Sequence, residues 1–374
     1  MLARVLACLL LAALAPAAAS LEKPAGAPTA IGKVDADLDL EADTAGPKHQ
    51  GHLHLLQLQG QKRSASGWSF VLPIRRQVVA NGKRQPGFVL ELVHPSGQSI
   101  IFGCIAEDAG QIVSFELNGD NILLDHALGP SEVWGSTFWP SPQSAWGWPP
   151  PPAFLTAVYD AEVDEQAMSV TLTGPISEKL GVRCVKRFMA DLATGTVKVE
   201  YTMETARGTK QRLAPWEITR LNPEGLLVWE TSTSPSDVRK AANIVTDFPP
   251  LPIHHVGGAS VYNLASEAGE GKTEAPSGGD WFAYARPGVL FIKRFHKLPP
   301  GEPAPGERQL EVYSFGAKGK PSEYTEMELQ GAYMDLSSES PYPWTVEWIL
   351  KPLPGNISSS RHSQELLDFI RAQL

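Results

Sequence analysis

From about residue 60 to residue 354 the chain alternates apolar and polar residues in one short run after another. Phe88–Val93, Ser99–Phe102, Gln111–Leu117, Asn121–Leu124, Met168–Leu172, Val182–Phe188 and Val197–Met203 read this way. The later runs are Trp216–Arg220, Leu226–Trp229, Val289–Phe295, Gln309–Tyr313, Tyr324–Gln330 and Trp344–Leu350. A period of two places successive side chains on opposite faces of a strand, so the pattern predicts antiparallel sheets with one wet face. Asn118-Gly119 is a turn signal, and Asp191–Gly195 predicts a hairpin connection. Residues 231–280 are richer in Ser, Pro and Gly and predict a long excursion over one end of a sandwich. One helix is expected, at the C-terminus: Leu366, Leu367, Ile370 and Leu374 form its apolar stripe, with Ser363 or Ser360 as cap. The chain has no strand–helix–strand rhythm, no phosphate-cradling glycine motif and no fixed-period repeat, which argues against a nucleotide fold and a propeller.

The first nineteen residues read as a secretory signal, with Arg4, the apolar run Val5 to Leu14, and Pro16-Ala-Ala-Ala19 as cleavage site. A periplasmic or secreted location follows as the expectation, and no later segment reaches membrane-spanning length. Cys8 lies inside the apolar run, so lipidation is discounted. Residues 20–59 lack an apolar period and predict a flexible tether. His49, His52 and His54 have no Cys or carboxylate at metal-site spacing, so no metal or cofactor is expected. Removing the signal takes away Arg4 and moves the net charge from −9 to −10, which gives no electrostatic reason to bind nucleic acid. Cys104 and Cys184 remain, as one disulfide or as two buried thiols. A monomer is expected.

The stretch Gly135–Pro152 carries Trp139, Trp146 and Trp148 among prolines that forbid both helix and central strand. It is read as a stiff loop that either offers flat aromatic faces to sugar rings or plugs the end of the sandwich core. Around Glu328, Thr325, Met327 and Leu329 fall on one face, and Glu326, Glu328 and Gln330 on the other, which faces either solvent or a polar cleft. His254 and His255 lie in the Pro-rich excursion, where at most one could reach a cleft. Lys293 and Arg294, with Arg183 and Lys186, line either a cleft for an acidic sugar or phosphate, or a solvated face. Asn356-Ile-Ser358 matches a glycosylation acceptor, relevant only in a eukaryotic host.

Four stretches together resemble the galactose mutarotase-like superfamily, and within it a bacterial group of unknown function called DUF4380. They are Gly110 to Leu124, the Gly135–Pro152 loop, Ala214-Pro-Trp-Glu-Ile-Thr-Arg220, and Met327–Gln330 followed by Leu336 and Trp344–Trp348. The resemblance implies an all-β, mostly antiparallel supersandwich over residues 60–354 whose concave face binds carbohydrate, with a short C-terminal helix in 355–374. It also implies Glu328 as the late-strand base of a mutarotase. Such a reaction needs a base at the anomeric hydroxyl and an acid at the ring oxygen, and no metal. The family's mid-chain His is absent here. Glu217 either replaces it as a protonated acid beside Trp216 or forms a structural ion pair with Arg220.

The expected function is an exported carbohydrate-binding protein, and an aldose 1-epimerase-like isomerase if Glu328 and Glu217 face each other across one pocket. Trp139, Trp146, Trp148 and Trp216 would stack on sugar, with Arg220 and Lys293 as polar contacts. The alternative is a non-catalytic envelope protein whose Trp/Pro loop is an interaction surface for protein or glycan.

Overall fold

The computed structural model describes residues 61–80, 82–125, 134–231, 248–266, 269–275, 277–299, 301–317, 319–320 and 322–374. The expected signal, the tether and the His49, His52 and His54 cluster lie outside the described residues. Residues from Gly60 to Leu374 form one unit. No helix among the described residues is long and apolar enough to cross a membrane.

Two antiparallel sheets stack face to face. The first runs in space from Gln61–Arg63 through Ser69–Val71, Lys83–Val93, Ser99–Cys104, Ile112–Leu117, Ser136–Ser141, Gln211–Leu221, Tyr324–Gln330 and Leu310–Phe315 to Gly271–Ala275. The second begins at His254–Val256 and continues through Ala259–Asn263, Leu226–Thr231, Ser277–Arg286 and Val289–Phe295. It ends with Tyr342–Pro352, Thr196–Thr205, Val182–Asp191, Ser169–Thr173 and Asp160–Asp164. The all-β, antiparallel sandwich read from the alternation is the architecture found. Asn118 and Gly119 both take positive φ, 55° and 84°, the twist a two-residue hairpin between Leu117 and Asp120 requires.

Aromatic rings fill the space between the sheets. Phe102 from the first sheet meets Phe188 and Trp348 from the second at centroid distances of 5.0 and 5.7 Å. On the far side of the second sheet, the helix Gln364–Arg371 lays Leu366, Leu367 and Ile370 in one apolar cluster with Val228, Trp281 and Ile349. Ser363 caps it, accepting a hydrogen bond from the Leu366 backbone at 3.2 Å. Val289–Phe295 shows how one strand serves both layers: Phe291, Lys293 and Phe295 point between the sheets, Leu290 and Ile292 toward the helix.

Two readings of local structure are corrected. The 231–280 excursion contains the strands His254–Val256, Ala259–Asn263 and Gly271–Ala275 and the start of Ser277–Arg286. Its glycines mark close backbone approach. A Cβ on Gly278 would lie 2.4 Å from the Thr231 carbonyl, and one on Gly271 would lie 2.7 Å from Leu251. Second, Ser136–Ser141 is a strand interior to the first sheet despite Pro140. Pro140 faces Pro215, and neither has an N–H to exchange, so the ladder tolerates both at a non-hydrogen-bonded position.

Cys104 and Cys184 are free and buried, and burial pushes the Cys184 thiol up to about 12, which leaves it unreactive. More unusual for a core is an ion pair between the sheets. Glu217 and Lys293, both fully buried, meet at 2.7 Å. Tyr201 Oη and Trp348 Nε1 donate to the other oxygen of Glu217 at 2.8 and 3.2 Å, and Lys293 donates to Thr219 at 2.7 Å. Breaking such a pair strands a charge in the interior. Lys293→Met is therefore expected to lower stability by about 3–5 kcal/mol, while the double change Glu217→Leu/Lys293→Met recovers most of it. Urea denaturation midpoints of the two variants check this, and an undisturbed single variant would contradict it.

Candidate functional site

Strand alternation separates the acidic residues singled out above. Glu217 lies opposite Leu329, and Ile218 lies opposite Glu328, so Glu217 and Glu328 point to opposite faces of the same sheet. Glu217 faces the second sheet with Lys293. Glu328 faces away from it, together with Trp216, Arg220, Glu326 and Gln330. The pairing of Glu217 with Glu328 across one pocket is thus corrected, as is the expected ion pair of Glu217 with Arg220. Arg220 instead binds Glu326 at 2.9 Å and Thr137 at 2.9 Å. Lys293 is corrected in the same way, since it lies in the core and reaches no cleft. Lys186 is buried beside Tyr159 and Tyr201, while Arg183 and Arg294 pair with Glu204 and Glu347. No basic patch for an acidic sugar forms among these residues.

The face bearing Glu328 is continuous over five strands. Trp139 lies opposite Trp216, and Trp216 lies opposite Gln330. Glu328 lies opposite Glu311, and Glu311 lies opposite Glu274. Trp216 Nε1 donates to Glu328 Oε2 at 2.9 Å. Lys272 reaches Glu311 at 2.6 Å and Glu328 at 3.5 Å, and its ammonium stands 5.5 Å from the Trp216 ring. Gln330 donates to Glu311 at 2.8 Å and to Glu307 at 3.2 Å. Arg220 lies over the Trp139 ring at 5.4 Å.

Burial and neighbouring charge tune these carboxyls apart. Burial, followed by the charges of Glu311 and Glu326, pushes Glu328 well above the usual carboxylate range despite Lys272. Burial also pushes Glu311 upward, but its contacts with Lys272, Glu307 and the Arg308 backbone outweigh that, so it stays ionised. Two adjacent carboxyls are therefore shifted in opposite directions. Residues reading missed Glu311, Lys272 and Glu307. Glu311 could have been found from the alternation Gln309, Glu311, Tyr313, whereas Lys272 lay in the stretch read as excursion.

The tryptophans meet at this face. Trp139 packs edge-on against Trp146, Trp148 and Trp216 at 6.0, 5.9 and 5.6 Å. Trp146 is buried, with its Nε1 on the Pro140 carbonyl at 2.7 Å, and Trp139 and Trp216 are buried too. Only Trp148 offers a ring to solvent, 42% exposed. The two readings of the loop thus divide between residues: Trp139, Trp146 and Trp216 pack, and Trp148 presents. Trp139 Nε1 and Gln330 Oε1 are buried with no hydrogen-bond partner among the described residues. His254 is exposed and stacks on His362 at 5.1 Å, and His255 shares a hydrogen bond with Ser260. No group of three or more metal-ligating side chains occurs among the described residues.

A family profile described as "Domain of unknown function (DUF4380)" matches residues 128–351, more than half of the chain. No curated protein matches the sequence. Among solved structures, a galactose mutarotase-like protein from Lactobacillus casei aligns with a TM-score of 0.42 and 13% identity over 67% of this chain and 97% of its own. A galactose mutarotase related enzyme from Lactobacillus acidophilus aligns at 0.44 and 7% identity over 72% and 98%. A TPR-domain containing protein from Parabacteroides distasonis aligns at 0.46 and 11% identity over 75% of this chain, which spans half of that protein.

The carboxyl cluster makes stability depend on pH. Burial and then the Glu311 charge push Glu307 up to about 8 and Glu274 up to about 7, from an ordinary value of 4.5. Both folded values are raised, so the folded state holds protons that the unfolded chain has released. Their contribution is fully present below about 4.5 and is lost as pH rises through 7 to 8. Glu311 is lowered and acts only below this window, and Lys186, lowered to about 8 by burial, acts above it. The melting temperature is expected to fall from pH 5 to pH 8, with Glu307→Gln flattening the slope. A scanning-calorimetry series in matched buffers checks this, and a rising Tm over that window would contradict it.

Proposed function

Because the chain belongs to the DUF4380 family, whose description assigns no activity, we propose its function from its own site: an exported carbohydrate-binding protein on a galactose mutarotase-like scaffold. One observation carries the reading. A run of indoles leads from the exposed ring of Trp148 through Trp139 to Trp216, and ends on the Glu328 carboxyl. Flat rings suit the C–H faces of sugars, and mixed donors and acceptors suit their hydroxyls. Trp139 Nε1 and Gln330 Oε1 are a spare donor and a spare acceptor on the same face, and buried polar groups rarely go unpaired without cause.

The reading is recognition. An epimerase step with Glu217 as acid is not proposed, because that side chain is committed to Lys293 on the other side of the sheet. Export rests on the signal-like first nineteen residues.

Intrinsic tryptophan emission of the protein, titrated with a panel of neutral mono- and oligosaccharides, tests the proposal. At least one saccharide is expected to shift the emission, and Trp148→Ala is expected to weaken its binding roughly tenfold, the worth of one aromatic contact. No response to any saccharide, or equal binding by Trp148→Ala, would contradict it.

A further inference from the structure

A cavity of about 340 Å³ lies between Arg212, Tyr333 and the chain that joins Val289–Phe295 to Leu310–Phe315. Arg212, Pro299 and Pro305 of its lining are exposed, so solvent reaches it. Its size falls at the small end of ligand cavities, which run from roughly 300 to 1,000 Å³.

The wall is fixed in place before any ligand arrives. Gln309, buried, donates from Nε2 to the His296 carbonyl at 2.7 Å and accepts from the Leu298 backbone at 3.0 Å, which ties the two ends of the connection together. The Tyr333 backbone N–H donates to the Glu302 carbonyl at 2.7 Å, which ties the connection to the other side of the cavity. Prolines at 299, 303 and 305 stiffen it further. Such a site loses little freedom on binding.

Its chemistry is set by two residues. The Arg212 guanidinium stands over the Tyr333 ring at 4.7 Å. Its carboxylate neighbour is Asp335 at 3.7 Å, beyond hydrogen-bond reach and 90% exposed. Among the described residues Arg212 donates no hydrogen bond, so a planar fork of N–H groups is open to one carboxylate. Glu307 lines the same cavity, with one oxygen accepting from Gln330 at 3.2 Å. Burial and the Glu311 charge push its carboxyl up to about 8, so it opposes an anion less than an ordinary glutamate does. A hydroxyl is the partner that can bond it in either protonation state. Leu298, Pro303 and Ala304 supply apolar surface for the carbon skeleton.

We infer that this cavity binds a small hydroxylated carboxylic acid, with its carboxylate on Arg212 and a hydroxyl on Glu307. The site uses none of the tryptophans and stands independently of the carbohydrate reading.

Calorimetric titration of the protein with two hydroxy acids, glucuronate and lactate, tests it. Glucose lacks the carboxylate of glucuronate, propionate lacks the hydroxyl of lactate, and alanine carries an ammonium in its place. At least one hydroxy acid is expected to bind roughly tenfold or more tighter than its counterparts, the worth of a charge-assisted bond. Glucuronate ahead of lactate identifies a sugar acid, and lactate level with it or ahead identifies a small free acid. Arg212→Gln is expected to weaken binding about tenfold at an unchanged melting temperature, with Arg212→Lys recovering only part, because an ammonium is no planar fork. Trp148→Ala should bind the acid as the wild type does. Glucose equal to glucuronate together with propionate or alanine equal to lactate would overturn the inference, as would unaltered binding by Arg212→Gln or no binding of either acid. Loss of acid binding in Trp148→Ala would overturn its assignment to this cavity. The neutral-saccharide titration of Trp148 decides the carbohydrate reading separately.

Discussion

Consecutive residues on a strand must point to opposite faces, and at Trp216-Glu217 that rule divides the chemistry of the molecule. Glu217 goes inward, where it meets Lys293, Tyr201 and Trp348 between the sheets. Trp216 goes to the opposite face, also buried, where its indole N–H holds Glu328. The inner pair needs the desolvated space between two sheets and would be a liability anywhere it lost a partner. The outer cluster needs the register of its neighbours, because Glu311 and Glu328 must stand directly opposite for Lys272 to serve both. One ladder, Gln211–Leu221 against Tyr324–Gln330, supports the two arrangements together.

How far the sequence disclosed this differs by element. Val289–Phe295 and Tyr324–Gln330 stand where their alternation put them, and Ser363 caps the helix expected after it. The strand Gln211–Leu221 misled because alternation was taken to mean one wet face. It is buried on both, so Trp216, Glu217, Thr219 and Arg220 all lie inside, and polarity alone did not say which side was which. The strands near Gly271 and Gly278 were hidden because glycine is read as loop when only sequence is in view, while here it answers crowding by backbone. Pro140 was read as forbidding a strand because the matching Pro215, far off in the chain, could not be seen to face it.

Of the candidate site, Glu328 and the tryptophans were legible and their partners were not. The resemblance to the mutarotase-like superfamily drew attention to an acid on the Pro215-Trp216-Glu217 segment. The neighbour of Glu328 that is tuned against it is Glu311, one strand over in the other direction. Lys272 is the ion that sets the difference between the two carboxyls, and it comes from a strand read as loop. Long-range pairings of this kind depend on register between strands distant in sequence, and local pattern carries no register.

The central claim is that the face holding Trp139, Trp148, Trp216 and Glu328 receives the ligand while the interior on the other side of the sheet does not. Protein labelled with 15N-tryptophan offers the most direct measurement, since each indole N–H reports its own surroundings. On adding a saturating neutral oligosaccharide, the Trp148 and Trp139 signals are predicted to shift most, with Trp139 losing its solitary character. Those of Trp229, Trp281 and Trp348, fully buried elsewhere, should stay in place. Shifts confined to the buried three, or an unmoved Trp139 and Trp148 in the presence of a bound saccharide, would contradict the account.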